Sequence, residues 1–152
     1  GYTKKAVVGA MAAFTPGADL LIQGWLGTQM VKELAAVYDI QVRKIDVDLL
    51  LQLVQRHVGK TTTLLLAVAG NAFKAFPGIG TLAGGMLHAV AYGLIFRTLG
   101  RSLVKTLDSR GELHPMQTAT VFKETLGENL ETSARDLAKL ALEQAREGRK
   151  RD

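Results

Sequence analysis

Residues 75–96 read AFPGIGTLAGGMLHAVAYGLIF, a run of 22 residues without a charged side chain between Lys74 and Arg97. A Pro-Gly pair interrupts the run near its start and leaves residues 79–96 as a continuous apolar segment. A helix that is apolar on every side is usually buried, with other parts of the protein or a membrane covering all of its faces. The sequence therefore predicts a central helix here and makes 79–96 the most buried part of the fold.

Glycines are concentrated in this run. Gly80 and Gly84 form a G-x-x-x-G pair, and Gly85 extends the small face. A glycine inside a helix costs about 1 kcal/mol relative to alanine, and this cost is recovered where another backbone packs closely against it. Two interpretations remain open: the central helix of a bundle, or a helical hairpin of 61–73 and 79–96 that enters or lies on a membrane.

The remaining sequence is also helical in pattern. Apolar residues recur at spacings of three and four, and no period-2 alternation is sustained. The expected helices are 4–14, 18–38, 46–58, 61–73, 81–109, 116–127 and 130–147. The fold class predicted is therefore all-α: one compact helical domain, 1–152, of five to seven helices, with a frayed basic tail at 148–152.

Several residues predict where these helices begin and end. Thr15 is a candidate N-cap, and Pro16 suits the first helical position. Asp46 or Asp48 is the candidate cap of the third helix, and Gly59 is a candidate stop. We expect the threonines that follow to cap a separate fourth helix. Gly111, with a histidine-proline pair after it, ends the long helix.

Charge excludes some functions. The chain has 19 basic and 14 acidic residues, a net charge of +5 and no cysteine. The excess is spread along the chain, at +2 over residues 1–60, +1 over 61–96 and +2 over 97–152. Nucleic-acid binding needs basic residues gathered on one face, so no nucleic-acid partner is expected. The missing cysteines exclude disulfides, thiolate metal sites and a cysteine nucleophile.

Motifs that imitate catalytic sites are incomplete. Residues 59–63, GKTTT, look like the end of a phosphate-binding loop, but the motif needs glycine at the position of Val54 and a preceding strand. His57, His88 and His114 fall on different elements, so no metal site is expected. The sequence predicts no enzyme and no cofactor in this chain.

A stripe of cations follows the apolar run. Arg97, Arg101 and Lys105 lie at i, i+4 and i+8, so they share one face of the long helix. Asp19 is the only charged residue between Lys5 and Lys32; it either stabilises its own helix N-terminus or makes an interdomain contact. The candidate partner or membrane interface comprises Asp19, Trp25, Gly80, Gly84, Gly85, Arg97, Arg101 and Lys105.

Several short motifs together resemble those of the YcjF-like helical domain. They are PGAD at 16–19, QMV at 29–31, LAxxY at 34–38, AVAGN at 67–71, FPGIGT at 76–81 and HAxAYG at 88–93. The resemblance extends over about residues 3–145. Such domains follow bacterial GTPase domains, and in other members they occur on membrane-associated proteins. The GKTTT string matches no site of that family.

The resemblance implies a context. The chain begins at Gly1-Tyr2, and we expect it to be the C-terminal part of a longer GTPase-containing protein. GTP and Mg²⁺ would bind the upstream domain, and this cytoplasmic domain would dock on it in cis without catalysis of its own. The alternative is a membrane-inserting or membrane-surface module at the inner membrane that uses the hairpin 61–96. Self-association is a further open possibility.

Overall fold

The structure is a computed structural model. It describes the backbone of residues 16–76 and 84–151 and the side chains within 24–76, 85–109 and 111–148. The expected helix 4–14, the Thr15 cap and the turn around Gly80 lie outside the described residues.

Five helices make up the described part of the chain. They are α1 (Pro16–Val37), α2 (Lys44–Phe73), α3 (Gly84–Arg110), α4 (Pro115–Leu126) and α5 (Leu130–Arg151). No strand occurs in the described ranges, so the all-α prediction is confirmed. α1 begins at Pro16, as predicted. The helical backbone of α5 extends to Arg151, into the segment for which a frayed tail is expected.

The predicted break at Gly59 is wrong, because α2 is one continuous helix of 30 residues that includes this glycine. The threonines do not cap a new helix. Thr61 donates its hydroxyl to the carbonyl oxygens of His57 and Val58, each at 3.2 Å, and Thr62 donates to that of Val58 at 2.9 Å. Such bonds to the preceding turn satisfy the hydroxyls inside a helix. Segment 61–73 is therefore the second half of α2 rather than a separate arm.

The predicted caps at Asp46 and Asp48 are also wrong, because α2 begins at Lys44. Asp46 lies in the first turn, where a carboxylate interacts favourably with the helix dipole. Its two carboxylate oxygens accept hydrogen bonds from Arg43, at 2.9 Å from Nε and 3.3 Å from Nη2. This local ion pair lies at the N-terminus of α2, where an exposed pair contributes about 1 kcal/mol or less.

α3 ends where the sequence predicts. Gly111 has a φ of +72°, in the left-handed region that glycine occupies without a steric penalty. Its N–H donates to the carbonyl oxygen of Leu107 at 3.1 Å. Pro115 then occupies the first helical turn of α4.

α2 and α3 form the centre of the bundle, since each of them packs against all four other helices. α1 contacts both of them, and so do α4 and α5. The buried face of α3 continues past the predicted segment 79–96, through Leu99 and Leu103 to Leu107. α3 packs against α4 and α5, and the contact between Thr106 and Thr118 of α4 lies in its second half.

His88 is exposed within the charge-free run. None of the helices in the described ranges is both long enough and apolar enough to cross a membrane.

Candidate functional site

An open groove of about 440 Å³ lies between α1 and α3. Its floor is apolar and one side carries the predicted cation stripe. The lining residues are Met30 and Leu34 from α1, and Phe96, Arg97, Gly100, Arg101, Val104 and Lys105 from α3. The structure thus places the three predicted cations around one concavity.

Gly100 shapes the floor of the groove. A methyl group added at Gly100 would lie 3.7 Å from Sδ of Met30 and 3.8 Å from its Cε, in ordinary van der Waals contact. Met30 is buried at this approach of α1 to the α3 backbone. Val104, one turn further along α3, keeps 41% of its surface exposed. The groove therefore presents an apolar surface that no described residue covers completely.

The cations differ in their neighbours. Arg97 is the most covered, with 30% of its side chain exposed, and its Nη1 lies 3.8 Å from Oδ2 of Asp136. A surface pair at this distance contributes about 1 kcal/mol or less. Arg101 and Lys105 are exposed, and neither forms an ion pair with any residue in the described part of the chain. Among the described residues, Arg101 and Lys105 thus carry positive charge that no ion pair neutralises.

Of the other candidate interface residues, Trp25 and Gly85 can be placed, and neither lines this groove. Trp25 is 61% exposed on α1 but does not line it. Gly85 is buried in the first turn of α3. Gly84 begins α3, and Asp19 lies in α1. The surroundings of both residues are outside the described part of the structure, and Gly80 is not described at all.

A buried row of hydroxyls went unpredicted. Thr98, Ser102 and Thr106 each donate to the carbonyl oxygen four residues earlier, at 2.6, 2.7 and 2.9 Å. Oγ1 of Thr106 also lies 2.8 Å from Oγ1 of Thr118 on α4. Each α3 hydroxyl follows a groove cation by one residue, so it is rotated about 100° towards the core. The four-residue repeat of Ser and Thr was the available signal in the sequence.

The surroundings of His57 perturb its protonation. Its ring packs edge-on against Phe122, with centroids 6.2 Å apart. Burial lowers the pKa of His57 below that of an ordinary histidine, and the nearby charges of Lys123 and Lys60 lower it further. This arrangement favours the neutral imidazole in the folded chain.

The remaining histidines are also dispersed. His88 lies near Tyr92, with ring centroids 6.0 Å apart. Nε2 of His114 lies 3.1 Å from Oε1 of Glu112. In the part of the chain that the structure describes, no three His, Cys, Asp or Glu side chains form a metal-binding group.

A smaller apolar cavity of about 120 Å³ lies between α1, α2 and α3. Gly24 and Gly27 line it from α1, and Leu51 and Val58 line it from α2. A methyl group added at Gly27 would lie only 3.0 Å from Cδ2 of Leu51, whereas one added at Gly24 would meet nothing within 4 Å. Gly27 thus brings α1 close to α2, as small residues do at helix crossings.

The family model of a domain of unknown function, DUF697, matches residues 3–132. The chain belongs to this family. The match includes α1 to α4 and the first residues of α5, and therefore the whole groove of the DUF697 domain. No curated protein and no solved structure matches the chain.

Proposed function

We propose that this DUF697 domain is a non-catalytic accessory domain of a bacterial GTPase, which docks on the nucleotide-binding domain of the same protein through the groove between α1 and α3. The observation that carries the proposal is the charge of Arg101 and Lys105, which no ion pair among the described residues neutralises, beside an apolar floor. The resemblance to the YcjF-like domain supplies the partner. GTP and Mg²⁺ are assigned to that partner domain and to no residue of this chain.

The chemistry of the groove fits docking. Exposed apolar surface at Val104 supplies a driving force for association, because apolar area removed from water contributes about 25 cal/mol per Å². The surrounding cations orient an acidic partner and accelerate its encounter more than they raise the final affinity. A surface of the nucleotide-binding domain that is apolar at its centre and acidic at its edge would match both the apolar floor and the cations. If that surface moves when the nucleotide changes, the movement is passed on to this domain.

A second candidate is contact with an anionic membrane surface. It is favoured by Trp25, which is 61% exposed on α1, because tryptophan is enriched where an apolar ring meets lipid headgroups. Each cation near an anionic membrane contributes about 1 kcal/mol. In this alternative Trp25 contributes to binding, whereas docking through the groove leaves it solvent-exposed.

The decisive experiment uses the full-length protein and measures GTP turnover. The test variant is Arg97→Gln/Arg101→Gln/Lys105→Gln. The control is Arg56→Gln/Lys139→Gln/Arg146→Gln, which removes the same kinds of charge from exposed residues that do not line the groove. We expect the groove variant to reproduce the effect of deleting the domain, and the control to match the unmodified protein.

Two results oppose the proposal. Equal turnover in the unmodified protein, the groove variant and the deletion would reject docking on the GTPase domain. Loss of co-sedimentation with phosphatidylglycerol vesicles in the groove variant and in Trp25→Ala, without any change in turnover, would favour the membrane surface. Both assays are run at low salt, where contacts between exposed charges are least screened.

A further inference from the structure

We infer that the occupant of the groove between α1 and α3 is an acidic amphipathic helix. The inference rests on the proposed function only in taking the groove as a docking site, and it specifies the secondary structure and charge register of the bound element. Three features of the groove lead to it: its apolar floor, its helical walls and the spacing of its cations.

The walls of the groove exclude an extended occupant. Both walls are helices, α1 and α3, and the backbone groups inside a helix are already paired with each other. The floor, formed by Met30, Leu34, Phe96 and Val104, offers no hydrogen-bonding side chain. An extended peptide lying on it would bury unpaired N–H and C=O groups at a cost of about 1–3 kcal/mol each. A helix satisfies its own backbone and therefore avoids this cost.

The spacing of the cations sets the register of the occupant. Arg97, Arg101 and Lys105 are four residues apart, so successive cations are separated by about 6 Å along α3. A helix lying alongside α3 repeats its own side chains at the same rise of about 1.5 Å per residue. Carboxylates at i, i+4 and i+8 of the bound helix therefore lie in register with the three cations, and the first of them competes with Asp136 for Arg97.

The partial burial of the groove argues against a flat surface as its occupant. Met30 and Phe96 are buried beneath the groove, and Leu34 and Val104 provide its accessible apolar surface. A vesicle surface reaches the exposed heads of Arg101 and Lys105 but not this floor. A ridge of apolar side chains on a helix can enter the concavity, as in other helix-in-groove complexes. The occupant is thus apolar on the side that faces Val104 and acidic on the side that faces the cations.

The test uses a synthetic peptide with a helix-forming sequence of about 18 residues, or five turns. Leucines form one face, and glutamates at i, i+4 and i+8 flank it. The comparison peptide has the same composition and the same leucine face, but its glutamates are distributed around the opposite face. Binding to the 152-residue chain is measured by fluorescence polarisation at low salt, and the helicity of the bound peptide by circular dichroism.

We expect the in-register peptide to bind about tenfold or more tightly than the comparison peptide. Arg97→Gln/Arg101→Gln/Lys105→Gln should weaken it by at least the same factor, and Arg56→Gln/Lys139→Gln/Arg146→Gln should leave it unchanged. Val104→Gln should weaken binding several-fold without altering the charge. Since Val104 is partly exposed, this variant is expected to remain folded, which urea unfolding verifies.

Equal affinities for the two peptides would overturn the inference, and so would binding of the peptide in a non-helical form. The inference also fails if neither peptide binds while phosphatidylglycerol vesicles do. The proposed function is judged separately, because the peptide assay contains no GTPase domain and the turnover assay contains no peptide. Register-dependent binding without any effect on turnover would leave the helix groove standing and reject the GTPase partner.

Discussion

The hydroxyl pair between α3 and α4 gives a prediction that can be worked out from the structure. Thr118 is fully buried, and its hydroxyl has Oγ1 of Thr106, at 2.8 Å, as its partner among the described residues. Oγ1 of Thr106 also lies 2.9 Å from the carbonyl oxygen of Ser102, which can only accept a hydrogen bond. We therefore take Thr118 as the donor in the pair and Thr106 as the acceptor, because this arrangement satisfies both hydroxyls among the described residues.

The assignment of donor and acceptor makes the two single substitutions unequal. Thr106→Val leaves the buried Thr118 hydroxyl without a partner, which should cost about 1–3 kcal/mol. Thr118→Val removes one hydrogen bond but leaves Thr106 donating to Ser102, at a cost of about 0.5–1.5 kcal/mol. In the double variant, two apolar groups of similar shape replace both hydroxyls. We expect it to be no less stable than Thr106→Val alone.

Urea unfolding followed by circular dichroism measures these free energies, provided that the denaturant slope is the same in every variant. The control pairs Thr106→Val with Thr120→Val, because Thr120 is exposed on α4 and bonds only to the carbonyl oxygen of Met116 among the described residues. This control should be additive. If the Thr106 and Thr118 substitutions were additive within about 0.5 kcal/mol, the pairing described here would be refuted.

Three further predictions concern single positions. Gly59→Ala should raise the free energy of unfolding by about 1 kcal/mol, because the position is inside α2 and a methyl group there meets nothing within 4 Å; an unchanged or lowered urea midpoint would contradict a continuous α2. Gly111→Ala should lower it by about 1–2 kcal/mol, since φ is +72°, and thermal unfolding checks this. Because His57 has a lowered pKa, the unfolded chain binds the proton more tightly, and stability should fall as the pH decreases through 6.5 and below. His57→Gln should reduce that pH dependence, and Lys123→Gln should raise the pKa of His57 observed by NMR titration.

Local signals in the sequence determined much of this fold. Pro16 opens α1 and Gly111 ends α3, because their backbone preferences act at single residues. The cation stripe was equally predictable, since residues at i, i+4 and i+8 share a helix face whatever surrounds the helix. Helical periodicity without sustained alternation was enough for the all-α class.

Tertiary packing decided what local preference could not. Gly59 and the threonines after it indicate a break, yet α2 is continuous. The local cost there is about 1 kcal/mol, and burying Leu65 and Ala69 beyond it, on a helix that packs against α5, outweighs that cost. The second half of α2 is thus held as a helix by surfaces that lie far away in the sequence.

The candidate site also has one part that the sequence predicted and one part that only the tertiary structure shows. The sequence placed Arg97, Arg101 and Lys105 on one stripe, but it contained no sign that Met30 and Leu34 would form the facing wall. Those residues are more than 60 positions away, and only the packing of α1 on α3 brings them beside Gly100. Helical periodicity therefore determined the charge pattern of the site. The groove itself depends on how α1 and α3 meet, because the packing of side chains across a helix crossing is not encoded in either helix alone.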